Sequence, residues 1–208
     1  MARETGPACR RCRREGSKLF LKGTRCDTAK CAYERRETPP GMANFRRGKQ
    51  TDYGIHLREK QKVKRYYGVL EGQFRKYFKM AERARGNTGE ALMSLLERRL
   101  DNVVCRLGFG MSRAQARSIV SHGHVLVNGR RVDIPSFLTR PGDVVTVKER
   151  AKSTEMVKRN LEEGNREVPD FLTRVDGAKP EGQVVRMPEA EDVSIPVQTQ
   201  LIVELCSK

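Results

Sequence analysis

The 208-residue chain contains no tryptophan, only three histidines, and few acidic residues where its basic ones crowd. No apolar run approaches the ~20 residues needed to cross a bilayer. The N-terminus carries no hydrophobic segment of the signal-peptide kind. A soluble chain working in the cytoplasm is therefore the expectation. His122 and His124 have no nucleophile or acid beside them in sequence, and neither an acidic catalytic motif nor nucleotide-binding glycines occur. These absences argue against an enzyme. Hydrophobic residues make up 37% and charged residues 33% of the chain, which suggests that full order depends on a partner.

What is present in excess is positive charge. Lysine plus arginine number 42 against 26 acidic residues, a net charge of +16. The surplus is uneven. Residues 1–150 hold 34 basic and 15 acidic residues, whereas residues 151–208 hold 8 and 11. Such a field favours nucleic acid or an anionic membrane as partner.

Four of the six cysteines fall within residues 9–31. Cys9 and Cys12 form a C-x2-C pair, thirteen residues intervene, and Cys26 and Cys31 form a C-x4-C pair. Two close pairs joined by a loop can set four thiolates tetrahedrally around one ion. The surrounding Arg10, Arg11, Arg13, Arg14 and Arg25 are expected to lower the thiol pKa values. Disulfides fit an intracellular chain poorly. The expected ligand is structural Zn2+, with an iron–sulfur cluster as the alternative because thiolates serve both. Cys105 and Cys206, in apolar surroundings, read as core.

Helices are expected over Tyr53–Tyr67 and about 71–85. A third is expected along Leu92, Leu95, Leu96, Leu100, Val103, Val104 and Leu107, which recur at three- and four-residue steps. The most informative stretch runs from Ser112 to Arg131. Ser112 can cap a helix, with Gln115 reaching back in a capping box. Ala116, Ile119 and Val120 form its apolar stripe, and Gly123 ends it. A short strand follows, and Asn128-Gly129 signals a hairpin turn with positive φ at both central residues. With Val144–Lys148, three short strands and two helices would close a small α+β module over about 95–150. A helix over 151–163 and strand-like pieces at Val184–Met187 and Leu201–Leu205 complete the reading.

The run RLDNVVCRLGFGMSRAQARSIVSHGHVLVNGRRVDIPSFLTRPGDVV resembles the RNA-binding module named after ribosomal protein S-four. MARETGPACRRCRREGSKLFLKGTRCDTAKCAYERRETPPG, REKQKVKRYYG, EGQFRKYF and PVQTQLIVELCSK are similar to further segments of that bacterial ribosomal protein family, the first to its cysteine-bearing version. PPGMANFRRGKQ departs from the family's usual His-Gly-containing stretch. The resemblance implies an α+β chain in which a mostly helical domain carries the inserted module and the C-terminus returns to the helices. The corresponding division is 1–43 (metal-binding segment), 44–94 (helical), 95–157 (module) and 158–208 (C-terminal segment). It also implies binding to small-subunit, 16S-type ribosomal RNA early in assembly of the subunit body. Contact with ribosomal protein S-five, linked to decoding accuracy, and repression of the chain's own messenger RNA are further implied partners.

RNA duplexes are read through phosphates, 2′-hydroxyls and shape, so arginine forks and lysine charges are the candidate contacts. On the module these are Arg113, Arg117, His122, His124, Asn128, Arg130 and Arg131; for the two histidines a local hydrogen-bonding role competes. On the helices they are Arg58, Lys60, Lys62, Arg65, Arg75 and Lys76. The N-terminal segment and linker add Arg13, Arg14, Arg35, Arg36, Arg46, Arg47 and Lys49. Two rivals use the same module: an RNA-modifying enzyme such as a pseudouridine synthase, and a heat-shock or ribosome-rescue protein. The first would need a further catalytic domain, and the cysteine segment and basic helices disfavour the second.

Overall fold

A computed structural model describes residues 4–41, 49–164, 167–175 and 179–207. The chain divides into two compact units, one of residues Met1–Leu92 with Ile195–Lys208 and the other of Met93–Ser194.

The first unit begins with α1 (Ala8–Glu15), a 3-10 turn (Gly23–Asp27) and the single-turn α2 (Ala32–Arg35). Little apolar material holds this segment: Leu19 and three cysteines are its buried hydrophobic side chains. α3 (Asp52–Tyr66) starts at Thr51, whose hydroxyl accepts the Gly54 N–H at 3.2 Å. α4 (Glu71–Glu82) turns Phe74, Tyr77, Phe78 and Ala81 inward, the face that the sequence marks as apolar.

The expected single helix through Leu92 and Leu107 is two helices, α5 (Thr88–Glu97) and α6 (Leu100–Arg106). The leucine periodicity is real, but Arg98 and Arg99 leave the helix to bond another segment. The Arg98 carbonyl accepts from Thr139 N at 2.9 Å, Arg99 bridges Leu138, and Leu100 N–H donates to the Phe137 carbonyl at 2.9 Å. The side chains complete the break. Arg99, 1% exposed, is held bidentately by Asp101 at 2.6 and 3.0 Å.

In the second unit Ser112 caps α7 (Arg113–Ser121), accepting the Gln115 N–H at 3.3 Å. Gln115 Oε1 reaches one residue further back than a standard box, to Met111 N–H at 2.7 Å. β1 (Val125–Val127) and β2 (Arg130–Arg131) form the expected hairpin, with φ of +50° at Asn128 and +76° at Gly129. β3 (Val144–Val147) pairs with β1 in antiparallel register, Val127 opposite Val145. α8 (Ala151–Glu163) matches its expected range. The sheet then grows beyond the expected three strands. β4 (Leu172–Val175) and β5 (Glu181–Val184) join it in the order β2-β1-β3-β5-β4. The strand expected at Val184–Met187 thus lies mainly before Val184. Because β5 supplies the second neighbour of β3, the second compact unit runs on to Ser194.

The chain returns to the first unit at Ile195, ahead of α9 (Thr199–Cys206). Leu201–Leu205 is helical, not a strand: Ile202 is fully buried, and α9 packs on α3. The C-terminal segment expected over 158–208 is therefore shared between the two units.

Asp101 neutralises buried Arg99 and also meets Arg117 at 3.3 Å. Removing one partner of a buried pair strands a charge, at a cost of about 3–5 kcal/mol. Asp101→Ala is therefore expected to lower unfolding stability by about that amount. Asp101→Leu combined with Arg99→Met should cost much less. Urea unfolding of the three chains checks the contrast.

Candidate nucleic-acid interface

Many of the candidate cations already have a protein partner. Glu15, with a side chain 0% exposed, takes Arg58 at 3.3 Å and Arg65 in a shorter ion pair. Burial nonetheless raises the Glu15 pKa, outweighing Arg65 and Arg58, and its Oε2 has no hydrogen-bond partner. Glu71 gathers Lys60 at 2.5 Å, Arg75 at 3.1 Å and Lys64 at 3.3 Å. Burial pushes the Glu71 carboxyl upward, but hydrogen bonds from Lys60 and Arg75 prevail and hold it at about 2. Lys62 meets Glu59 at 2.6 Å and the Pro196 carbonyl at 3.4 Å. In the N-terminal segment Arg13 donates to the Thr38 carbonyl at 2.8 Å and Arg14 to that of Pro40 at 3.1 Å. Of this group Arg75, its side chain 71% exposed, and Arg14 stay on the surface.

The same holds on α7. Arg113 Nε donates to Asn102 Oδ1 at 2.9 Å, and Arg117 turns to Asp101. Asn102 in turn donates to Glu97, a fully buried carboxylate that Arg106 grips at 2.7 and 3.1 Å. These two arginines, candidate RNA contacts by sequence, thus tie α7 to α6. Asn128 is likewise engaged in the fold. Its Oδ1 accepts from Val144 N–H at 2.9 Å, and its Nδ2 donates to Asp143 at 2.8 Å.

Arg35, Arg36, Lys49, Lys76, His122, Arg130 and Arg131 remain exposed. Arg46 and Arg47 lie outside the described residues. Arg130 and Arg131 project from β2, both solvent-facing, and Arg131 meets Asp133 only at 3.8 Å. A methyl group at Gly123 would overlap the Arg131 guanidinium, so the α7–β1 turn and β2 are packed edge to edge. The His122 and His124 rings lie 6.2 Å apart, and His124 Nδ1 is 2.9 Å from Ser153 Oγ. Burial lowers the His124 pKa, with His122, Arg150, Lys148 and Arg131 adding to the effect. One rim therefore carries His122, Arg131, Lys148 and Arg150 around His124.

Lys148 and Arg150 were not among the sequence candidates. They reach this rim because Lys148 N–H donates to the His124 carbonyl at 2.8 Å, where β3 ends beside the start of β1. The alternating VVTV run could have pointed to them once paired with the hairpin. Such a rim can meet phosphates with guanidinium forks and ammonium charges at adjacent positions.

The cysteine segment gives a divided answer on metal. Cys12, Cys26 and Cys31 are buried and Cys9 is half-buried, and the charges of neighbouring thiolates add to the raised pKa values of Cys12 and Cys26. Backbone N–H groups of Leu19 and Lys22 hydrogen-bond Cys12 and Cys26, the latter at 3.4 Å. The donor chemistry suits a thiophilic ion. Among the described residues, however, no three His, Cys, Asp or Glu side chains stand in metal-holding positions. For Cys12 and Cys26 the expected lowering of the thiol pKa values gives way to a rise, with desolvation of the buried thiols as its largest cause.

Comparison with known proteins adds a separate line. The family profile "Ribosomal protein S4/S9 N-terminal domain" matches residues 3–97, and "S4 domain" matches residues 98–145. Among curated relatives, small ribosomal subunit protein uS4 of Thermoanaerobacter sp. (strain X514) is 58% identical over 208 residues, covering all of both chains. The uS4 proteins of Halothermothrix orenii and Thermodesulfovibrio yellowstonii are 55% and 54% identical, again over the full length of both.

Glu71 supplies a pH test. Its pKa in the folded chain is about 2, below the usual 4.5. The stabilisation is therefore present above about pH 4.5 and lost as pH falls toward 2. Glu71→Gln should destabilise the chain at pH 7 by about 1–2 kcal/mol, a figure discounted for partial exposure. Wild type and variant should converge near pH 2 in thermal melts.

Proposed function

The chain belongs to the small ribosomal subunit protein uS4 family, and we propose that it binds folded small-subunit ribosomal RNA as an early, architectural step in building the subunit body. Family membership makes it a structural RNA-binding protein of the ribosome and not an enzyme. No helix among the described residues is long and apolar enough to cross a membrane. Its place of work in this reading is the cytoplasmic ribosome.

The observation that carries the reading is the division of the cations. Those of α3 and α7 are matched to carboxylates or amides inside the protein, whereas Arg130, Arg131, Arg150 and His122 are left to solvent beside half-buried Lys148. A-form duplexes and junctions offer phosphates in fixed relative positions. A rigid rim can match that spacing without ordering itself on binding. The inward cations act at one remove, by fixing the helices from which Lys76 and Arg75 project. Neighbouring subunit proteins, ribosomal protein S-five among them, are the protein partners in this reading, with a contribution to decoding accuracy. The chain's own messenger RNA is a further ligand with the same chemistry.

Cys9, Cys12, Cys26 and Cys31 would hold one Zn2+ in this reading, an iron–sulfur cluster being the alternative. Bound metal contributes folding free energy of order ~10 kcal/mol to a segment whose aliphatic core is little more than Leu19.

Two measurements test these statements. Neutralisation of about ten phosphates gives a slope of log affinity against log salt near −7 to −9, and each cation removed from the rim makes it shallower by about 0.7–0.9. Arg130→Ala with Arg131→Ala should do so for purified small-subunit RNA, and a slope shallower than about −3 for wild type contradicts extended contact. Elemental analysis should find zinc in the purified chain, without a visible absorption band. Cys9→Ser should lose it and expose residues 4–41 to protease, while residues 93–194 stay resistant.

A further inference from the structure

We propose that Phe20 is a stacking platform for one unstacked base of the bound RNA, presented by a left-handed backbone and framed by Lys18, Lys22 and Arg25. The proposal rests on the RNA-binding reading above and adds a contact to a base face where the rim offers contacts to phosphate.

Phe20 has φ of +48°, a conformation that a bulky residue adopts only under constraint. In the same loop Gly16 and Gly23 take φ of +63° and +64°, so glycine fills the other left-handed positions and an aromatic residue fills this one. The loop does not use the ring as core. Leu19 is fully buried and Leu21 half-buried, while Phe20 between them is 44% exposed. A polar residue or glycine would occupy an exposed, left-handed position with less strain and less apolar surface in water. Exposed aromatic rings among cations are how RNA-binding surfaces engage unpaired bases, which stack on them largely irrespective of sequence.

The surroundings suit such a ligand. Residues 17–25 contain Lys18, Lys22 and Arg25 and no acidic residue. Lys18 Nζ lies 5.9 Å from the centre of the Phe20 ring and is itself paired with Glu34. That pairing holds one cation against the ring, while exposed Lys22 and Arg25 can follow the phosphates on either side of the base. The Tyr33 hydroxyl donates to the Gly16 carbonyl at 2.8 Å, pinning the start of the loop.

The test compares full-length wild type, Phe20→Leu, Phe20→Trp and Phe20→Gly for affinity to purified small-subunit RNA across a salt series, with thermal melts and protease mapping alongside. Phe20→Leu should bind about 5- to 150-fold more weakly, the span of base–aromatic stacking, at an unchanged salt slope because no phosphate contact is lost. Phe20→Trp should bind at least as well as wild type. Phe20→Gly should melt no lower than wild type yet bind as weakly as Phe20→Leu. Phe20→Leu and Phe20→Gly chains that bind like wild type would overturn the proposal alone. So would a Phe20→Trp chain as weak as Phe20→Leu, together with loosening of residues 4–41 to protease in both. A wild-type chain that ignores the RNA would overturn the RNA-binding reading and this proposal with it.

Discussion

Crowded like charges must be matched inside a protein or left for a partner to match, and a few carboxylates settle which happens here. Glu15, Glu71 and Asp101 sit where two helices, or two parts of one turn, bring cations together, and Glu97 holds Arg106. The first three each convert repulsion into a joint. Glu15 fastens the end of α1 to α3, Glu71 ties the start of α4 to α3, and Asp101 holds Arg99 and Arg117 from either side of α6. Because an ion pair withdrawn from water recovers its desolvation cost only with good geometry, these joints also constrain the angles between helices. Glu15 shows the limit of the device: one carboxylate oxygen stays unsatisfied and burial prevails over two guanidiniums.

This division separates two kinds of basic residue that composition cannot tell apart. Arg113 and Arg117 read as candidate RNA contacts, yet α6 packs against α7 there and supplies Asn102 and Asp101. Arg130 and Arg131 read the same way and do face solvent, because β2 is an edge strand. The difference is tertiary. It depends on which element covers a given face, and helical period alone does not carry that information.

Local chemistry was legible where it was strong. The Ser112 cap, the apolar stripe of α7, the Asn128-Gly129 turn and the whole of α8 follow from residue type and spacing. Long-range pairing was not. The break at Arg98–Arg99 depends on bonds to residues 137–139, and β4 and β5 gain their identity from a β3 edge that they complete. The terminal LIVEL run is apolar enough for either structure, and packing on α3 makes it a helix. At the candidate interface, the hairpin arginines were visible in advance, whereas Lys148 and Arg150 needed the β1–β3 register to be found. Phe20 gave no periodic signal, and its backbone angle is what distinguishes it from an ordinary loop hydrophobe.

The helix α9 consists of almost the last residues of the chain, yet its place is against α3, near residue 60. On the translating ribosome, where domains tend to fold as units as they emerge, all of residues 93–194 is made before α9. The helical body that starts first is therefore finished last. The segment that closes over α3 is thus separated from it in sequence by the whole of the second unit, so the first unit is held together by its two outermost stretches.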